Sequence, residues 1–298
     1  MKAKFWVIIA ALITVLIAFL FYSYISSHNL AVLNPMGEIA YKERQLLFIT
    51  VLLSAVVVIP VFVLTIFIAW KYREGNGRAK YAPHWDHDAK LEFAWWAVPI
   101  VIISVLAAIT WQYTHSLDPY KPLNSTQTPV KIQVVALQWR WLFIYPEKQI
   151  ATVNYMPIPI DRPINMEITA DAPMNSIWIP QLSGQIYAMS GMSTKLHINA
   201  HTPGTYRGVS ANISGEGFAG MTFKVKATST TQYDNWITQA KKSDQNLNFA
   251  EYQQLAKPSM NRQVIIYGNV DEHLYHKIMM KYTAPEKTEN KSDNHNGM

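Results

Sequence analysis

Glu92 is the residue best placed to do chemistry in this sequence, because it directly precedes the long uncharged run Phe93–Tyr113. A carboxylate at the mouth of an apolar segment, partly shielded by partner helices, could gather protons for a channel inside a membrane. The alternative is an ordinary acidic residue near a helix start, stabilised by the helix dipole. The position alone favours the alternative.

Other chemically capable side chains do not assemble into a recognisable site. His84–Asp88 is a polar loop without further ligands nearby, and His197 and His201 would lie on one strand face but far apart. Four methionines could bind copper(I) through their thioethers, although methionine more often fills a core: Met174, Met189, Met192 and Met221. Neither a phosphate-binding loop, nor a dinucleotide fingerprint, nor a nucleophile–base arrangement is visible.

The composition separates a membrane part from a soluble part. Half of the 298 residues are hydrophobic, yet the mean hydropathy is near zero, because long uncharged runs are confined to the first 113 residues. The net charge of +6 is modest and its basic residues are spread out, which argues against nucleic-acid binding. The absence of Cys excludes disulfides, thiolate metal sites and a lipid-modified N-terminal Cys.

Three uncharged runs are long enough to cross a bilayer. Phe5–Ile25 is a signal sequence or, as its length favours, a retained anchor helix, while Leu46–Trp70 and Phe93–Tyr113 are transmembrane helices. Seven Lys and Arg residues flank the side of the N-terminus and the short loop, against three on the other side. The loop is therefore predicted to be cytoplasmic and everything after about residue 115 periplasmic in a bacterial inner membrane.

The remainder of the chain predicts an all-β sandwich followed by helices. Six β-rich runs alternate with turn signals: Val130–Tyr145, Ile164–Ala170, Ser176–Pro180, Thr194–Ala200, Thr205–Ile213 and Met221–Ala227. Helical spacing follows in Thr230–Lys242, Phe249–Ala256 and Leu274–Tyr282. The expected divisions are 1–27 (signal or anchor), 28–45 (periplasmic segment), 46–70 (membrane), 71–92 (cytoplasmic loop), 93–114 (membrane), 115–229 (periplasmic domain), 230–283 (helical extension) and 284–298 (disordered tail).

Several motifs in order resemble subunit II of haem-copper terminal oxidases, and among these the bo-type ubiquinol oxidases. The resemblance covers about residues 30 to 283. Its markers are Trp70-Lys71-Tyr72-Arg73, Lys90-Leu91-Glu92 before Trp96-x-x-Pro99, Gln138-Trp139-Arg140-Trp141, and Met174-Asn175-Ser176 followed by Gln185-Ile186-Tyr187-Ala188-Met189. It implies a cupredoxin-like sandwich.

The resemblance also locates a degenerate copper site. Copper-bearing members of the family hold a dinuclear centre with a Cys-x-x-x-Cys pair, two His and a Met. The positions that match these five ligands are Asn175, Ser210, Ser214, Phe218 and Met221, and Asn212, between the two serines, is a further position of the degenerate site. Because amide, hydroxyl and phenyl groups do not replace thiolate and imidazole, we expect no metal in this chain.

The function implied is that of a non-catalytic subunit II in a proton-translocating ubiquinol oxidase. Haem b, a high-spin haem and copper are expected in subunit I, where ubiquinol reduces oxygen, with further small subunits and membrane lipid as other partners. In the family, the glutamate at the position of Glu92 lies at the entrance of the proton pathway named after a lysine of subunit I. With this resemblance, the interpretation of Glu92 as a proton-pathway residue is favoured over that of an ordinary acidic residue. The alternatives are a copper-containing cytochrome c oxidase subunit II and a free-standing, membrane-anchored periplasmic binding module.

Overall fold

The computed structural model describes residues 30–77 and 84–282, together with residues 16, 19, 20, 23, 24 and 27. Most of the predicted signal or anchor segment, 1–27, and the whole predicted tail, 284–298, lie outside the described residues. The chain divides into two compact units, Met1–Lys121 and Pro122–Met298.

Two long helices dominate the first unit. A 3₁₀ turn at Ala31–Leu33 precedes α1 (Glu38–Lys71), and α2 spans Ala89–Ser116. Their 34 and 28 residues correspond to about 50 and 40 Å of helix, more than the roughly 30 Å of a bilayer core. Most of their apolar side chains are exposed within this chain, and only Ala40 is buried. Such surfaces need lipid or partner helices around them, and the chain is membrane-anchored.

Hydroxyl groups inside these apolar helices donate hydrogen bonds to backbone carbonyl groups of the same helix. Ser54 and Thr65 in α1 donate to the carbonyl oxygens of Thr50 and Val61, and Ser104 in α2 does the same four residues back. The distances between donor and acceptor oxygens are 2.7–2.8 Å. No polar group of these side chains therefore has to face hydrocarbon without a partner.

The second unit is a sandwich of two sheets. The six-stranded sheet has the order β12-β3-β2-β1-β5-β8 and the five-stranded sheet the order β4-β10-β9-β6-β7; β11 and β13 form a separate pair. The strands are β1 (Val130–Ala136), β2 (Trp141–Tyr145), β3 (Ile150–Val153), β4 (Tyr155–Pro159), β5 (Ile164–Ala170), β6 (Asn175–Trp178), β7 (Gln185–Ala188), β8 (Thr194–Ile198), β9 (Gly204–Ser210), β10 (Thr222–Thr228), β11 (Asn246–Leu247), β12 (Ile265–Tyr267) and β13 (Asn269–Val270).

The core between the sheets is built by alternation along the strands. In β10 the buried residues are Phe223, Val225 and Ala227, with the intervening side chains less buried. The Phe223 ring lies 5.0 Å from that of Phe143 and 5.8 Å from that of Trp141, measured between centroids. Gly208 faces Phe223 across the β9–β10 pair, and a Cβ there would overlap the phenyl ring.

Most of the C-terminal segment covers the outer face of the six-stranded sheet, whereas its first helix packs against β4 of the other sheet. It contains α3 (Thr230–Ala240), α4 (Phe249–Leu255) and α5 (Leu274–Met280), and β12 adds an edge strand beside β3. A single buried cluster joins sheet and extension: Val135, Leu137, Leu142, Ile144, Ala151, Val153, Leu247, Tyr252, Leu255, Tyr267, Val270, Leu274, Tyr275 and Ile278. The sheet is thereby covered on both faces, which explains why all five residues of β2 are buried.

The predicted fold class is confirmed: two apolar helices, a β-sandwich and a helical extension. The run Val130–Tyr145 proved to be two strands, because the chain turns at Trp139, which has a φ of 71°. Strands β3, β4 and β7 were not predicted, nor were the two- and three-residue strands of the extension. Segments this short carry too few residues for a period of two to stand out.

Candidate functional site

Three neighbouring strands bring together most of the positions predicted to form a degenerate copper site. Asn175 opens β6, Ser210 closes β9, and Met221 directly precedes β10, with β9 paired to both other strands. Ser214 lies in the loop between β9 and β10. Backbone hydrogen bonds from Ser210 to the carbonyl of Met221, and from Ala211 to that of Ser176, close this end of the sheet at 3.0 and 2.8 Å.

Asn175 is the centre of a closed hydrogen-bond cluster. Its Nδ2 donates to Ser214 Oγ at 3.0 Å and to Met221 Sδ at 3.2 Å. Its Oδ1 accepts from Ser210 Oγ and, at 2.8 Å, from the backbone N–H of Ser176. Asn175 and Met221 are each only 1% exposed, so water does not compete for these bonds. All of these contacts are hydrogen bonds between uncharged groups.

The other two predicted positions lie outside this cluster's hydrogen bonds. Asn212 donates from Nδ2 to the carbonyl of Met174 at 2.9 Å and so fastens the rim of the loop. Phe218 is half-buried and begins a 3₁₀ turn, Phe218–Gly220. Its carbonyl accepts the backbone N–H of Met221 at 3.0 Å, which sets where β10 starts.

This donor set does not fit a dinuclear copper centre. The amide group that meets Met221 Sδ is an N–H donor, whereas a metal requires a lone pair at that point. The hydroxyl groups of Ser210 and Ser214 are engaged with Asn175, and thiolate and imidazole are missing from these positions. Among the residues that the structure describes, no group of three or more His, Asp or Glu could hold a metal ion.

Trp139 fastens the loop between β9 and β10 to the turn between β1 and β2. Its Nε1 donates to the carbonyl of Ser214 at 3.1 Å, and its ring covers Gly215 and Gly217. Gly215 has a φ of 107°, a backbone conformation that glycine adopts without strain. The sequence showed Trp139 only as a family marker; its positive φ and its loop contacts were missed.

Asp171 is a buried carboxylate with several hydrogen-bond donors around it. The sequence indicated it only as part of a turn. Its side chain is 2% exposed and accepts from Tyr252 Oη at 2.6 Å, from Lys281 Nζ at 2.8 Å and from Tyr282 Oη. Burial disfavours the carboxylate, but the hydrogen bonds from Lys281, Tyr252 and Tyr282 outweigh it, so the pKa of Asp171 lies below its usual value. Burial, together with Asp171, raises the pKa of Tyr252.

Asp171 and Arg140 thus attach the extension to the sandwich. Arg140 Nη2 donates to the carbonyl oxygens of Leu255 and Lys257, the latter at 3.2 Å, and burial lowers the pKa of its guanidinium. Both contacts join residues more than 80 positions apart. No local sequence pattern indicates such long-range pairs, and they were therefore not predicted.

Glu92 lies in the first turn of α2, in the other unit. Asp88 caps this helix: its Oδ1 accepts the backbone N–H groups of Lys90 and Leu91 at 3.0 and 3.1 Å. Glu92 Oε1 in return accepts the backbone N–H of Asp88 at 3.3 Å and contacts His87 Nδ1. The Glu92 side chain is 35% exposed.

The remaining candidates do not converge. His197 Nδ1 lies 2.7 Å from Asn165 Oδ1, and His201 Nδ1 lies 2.9 Å from Asp161 Oδ1, so the two rings have separate partners. Met174 is 47% exposed whereas Met221 is buried with its sulfur accepting a hydrogen bond. The two histidines therefore do not share a site, and Met174 and Met221 differ in their access to water.

Comparison with known proteins agrees with this architecture. Residues 241–286 match the family model COX Aromatic Rich Motif, which covers most of the extension. Cytochrome bo(3) ubiquinol oxidase subunit 2 of Pseudomonas putida is 48% identical over 258 residues, 87% of this chain and 82% of that protein. Its counterpart from Pseudomonas aeruginosa is 47% identical over 254 residues, 85% of this chain and 77% of that protein.

A solved structure, the periplasmic domain of subunit II of cytochrome oxidase of Bradyrhizobium japonicum, aligns with 39% of this chain and 96% of its own length, at 19% identity and a TM-score of 0.38. Two apolar helices, a sandwich and an aromatic-rich extension define a membrane-anchored oxidase subunit II. With relatives identical at 47–48% over most of their length, the chain belongs to the cytochrome bo(3) ubiquinol oxidase subunit 2 family. The resemblance deduced from the motifs is confirmed.

Proposed function

We propose that this chain is the subunit of a proton-translocating ubiquinol oxidase that carries no redox centre of its own. The observation that supports this is the Asn175 cluster, in which an amide donor and two hydroxyl groups occupy positions that the family resemblance assigns to copper ligands. A subunit without that copper has no acceptor for electrons from a water-soluble cytochrome. A lipid-soluble donor such as ubiquinol, oxidised in the partner subunit I, fits this arrangement.

The cofactors of the complex are then haem b, a high-spin haem and copper, all held by subunit I. This chain would contribute to assembly, cover the outer face of subunit I, and contact further small subunits and membrane lipid. Family membership argues against a free-standing binding module, and the donor set argues against a copper-containing cytochrome c oxidase subunit.

The test is a metal and haem analysis of the intact purified complex. We expect ubiquinol oxidase activity and one copper for each pair of haems. Additional copper with thiolate-type absorption, or efficient oxidation of a soluble cytochrome, would contradict the proposal. Purification of the chain without any haem protein would instead favour the binding module.

We place the chain in a bacterial inner membrane with the sandwich in the periplasm. The support is the distribution of basic residues, which favours the side of the loop between α1 and α2 as cytoplasmic. Protease added to intact spheroplasts should digest the sandwich and spare the loop. Digestion only after membrane disruption would reverse this orientation.

We further propose Glu92 as the entrance of a proton pathway. It lies at the predicted cytoplasmic start of α2, half-exposed, so its carboxylate can exchange protons with water and face partner helices at the same time. Glu92→Gln keeps the size and removes the acid; we expect slower oxygen reduction with normal haem content. Glu74→Gln, on an exposed residue of the same loop, is the control. Equal turnover and pumping in Glu92→Gln and the unmodified complex would remove the role.

A further inference from the structure

His87 is the side chain that contacts the Glu92 carboxylate. Its Nδ1 meets Glu92 Oε1, the same oxygen that accepts the backbone N–H of Asp88 at 3.3 Å. The oxygen is therefore held between a ring nitrogen and a peptide N–H. This contact arises within one stretch of described residues, 84–116.

The helix cap explains why these two residues meet. Asp88 is the N-cap with an extended backbone (φ −148°, ψ 102°), so His87 is the residue before the cap and Glu92 is the fourth helical residue. At a capped helix start, the residue before the cap and the fourth helical residue come into contact. When both are apolar, this contact is known as the hydrophobic staple. In this chain an imidazole and a carboxylate occupy the staple positions.

The two members of the pair differ in their access to water. The His87 side chain is 68% exposed and that of Glu92 35% exposed. The ring is thus the outer member and the carboxylate the inner one. Histidine is also the residue type whose charge changes within the neutral pH range.

We infer that His87 is the positioning and proton-supplying residue for Glu92, an inference that rests on the proposed role of Glu92. The imidazolium donates its Nδ1 proton to Glu92 Oε1 and becomes neutral, and Glu92 becomes the neutral acid that passes the proton inward. The neutral ring then takes the next proton from water. Between transfers, His87 and the Asp88 N–H hold the carboxylate oxygen in one position.

The described part of the loop and the adjoining helix ends carry other charged groups as well. Asp86 and Lys90 lie in the same loop and helix, and the Asp88 carboxylate is engaged in the cap. At the end of α1 are Lys71, Arg73 and Glu74; Lys71 Nζ lies over the Phe67 ring at 5.5 Å and Arg73 over the Trp70 ring at 5.5 Å. His84, in the same exposed loop but outside the α2 cap, provides a matched control.

The test uses the complete oxidase complex reconstituted in vesicles, with turnover and proton uptake measured across pH. His87→Gln should lose turnover several-fold above neutral pH, where protons are scarce, and little at acidic pH. His84→Gln should match the unmodified complex. The double variant His87→Gln/Glu92→Gln should be no slower than Glu92→Gln alone, because both residues act in one step.

The outcomes separate the two proposals. If Glu92→Gln is slow and His87→Gln has an unchanged pH profile, the role of His87 is overturned while that of Glu92 stands. If Glu92→Gln is unaffected, the role of Glu92 fails first. His87→Ala, measured with and without free imidazole in the buffer, distinguishes proton supply from a merely structural role. Recovery of turnover by imidazole supports proton supply. A loss of turnover that imidazole does not recover overturns it.

Discussion

Asn175 and Met221 lie 46 positions apart in the chain, and the amide nitrogen of Asn175 approaches the sulfur of Met221 to 3.2 Å. Such a contact exists only because an N–H group can donate to a thioether, whereas two metal ligands would both present lone pairs. The positions predicted to be a degenerate copper site therefore meet in the fold, and hydrogen bonds join them there.

Asn175→Ala should destabilise the sandwich. The substitution leaves Ser210, Ser214 and the N–H of Ser176 without their buried partner, which costs about 1–3 kcal/mol for such groups. Thermal unfolding of the purified chain, followed by Trp fluorescence, would measure the loss.

Asn212→Ala is the matched control for this change. It removes one hydrogen bond at the exposed rim, to the Met174 carbonyl, and should cost less than about 1 kcal/mol. Equal stability of the two variants would mean that the Asn175 cluster contributes no more than the rim.

Copper binding should be restorable in the loop. Asn175 Nδ2 already lies within 3.2 Å of both Ser214 Oγ and Met221 Sδ. The replacements Asn175→His, Ser210→Cys, Ser214→Cys and Phe218→His would therefore place soft ligands in and beside this cluster. Copper uptake and thiolate-to-copper absorption by the folded variant are the expected results.

The variant that lacks only Ser214→Cys serves as its control, since the dinuclear centre of copper-bearing relatives is held by a pair of thiolates. A folded four-substitution variant that takes up no more copper than this control would show that the loop geometry has drifted from that of a metal site.

The membrane helices, and the meeting of Asn175 with residues of the loop between β9 and β10, were predictable because both depend on local or family-wide patterns. Uncharged runs reveal α1 and α2 directly, and the motif around Asn175 identifies its partners in the loop. By contrast, α1 begins at Glu38, well before the uncharged run at Leu46, because a helix continues through charged residues such as Lys42 and Glu38, which pair at 2.7 Å.

The attachment of the extension could not be predicted in the same way. Asp171 sits in an ordinary Asp-Ala-Pro turn, and nothing near it in sequence indicates Lys281 or Tyr282, more than 100 positions away. The identity of a long-range partner depends on how helices pack on the sheet, and a single sequence does not encode that in any local period.

Gly217→Ala should displace the loop from Trp139. A Cβ at this position would overlap the indole ring, so the ring or the loop must move, at a cost of about 1–3 kcal/mol for an overfilled site. Ala219→Gly, on an exposed position of the same loop, tests whether any change there has this effect. Quenching of Trp fluorescence by iodide should increase only in Gly217→Ala; the same quenching in both variants would contradict the contact.

Asp171→Asn should loosen the C-terminal extension. The carboxylate holds Tyr252, Lys281 and Tyr282, and hydrogen bonds to charged groups contribute about 1.5–3 kcal/mol, less here for the half-exposed Lys281. The pKa of Asp171 is lower in the folded chain than in the unfolded one, so its contribution is complete above the unfolded value of about 4. It is lost as the pH falls through the lower folded value.

Limited proteolysis between pH 7 and pH 3, with a protease active throughout, checks this acid dependence. Cleavage between the sandwich and α5 should increase below about pH 4 in the unmodified chain, whereas Asp171→Asn should already be cleaved faster at pH 7. Asp271→Asn breaks the more exposed pair with Lys277, 2.6 Å apart, and should change cleavage little, since such pairs contribute less than about 1 kcal/mol. Equal cleavage of the two variants at pH 7 would show that α4 and α5 are held by the apolar cluster alone and that the buried carboxylate adds nothing.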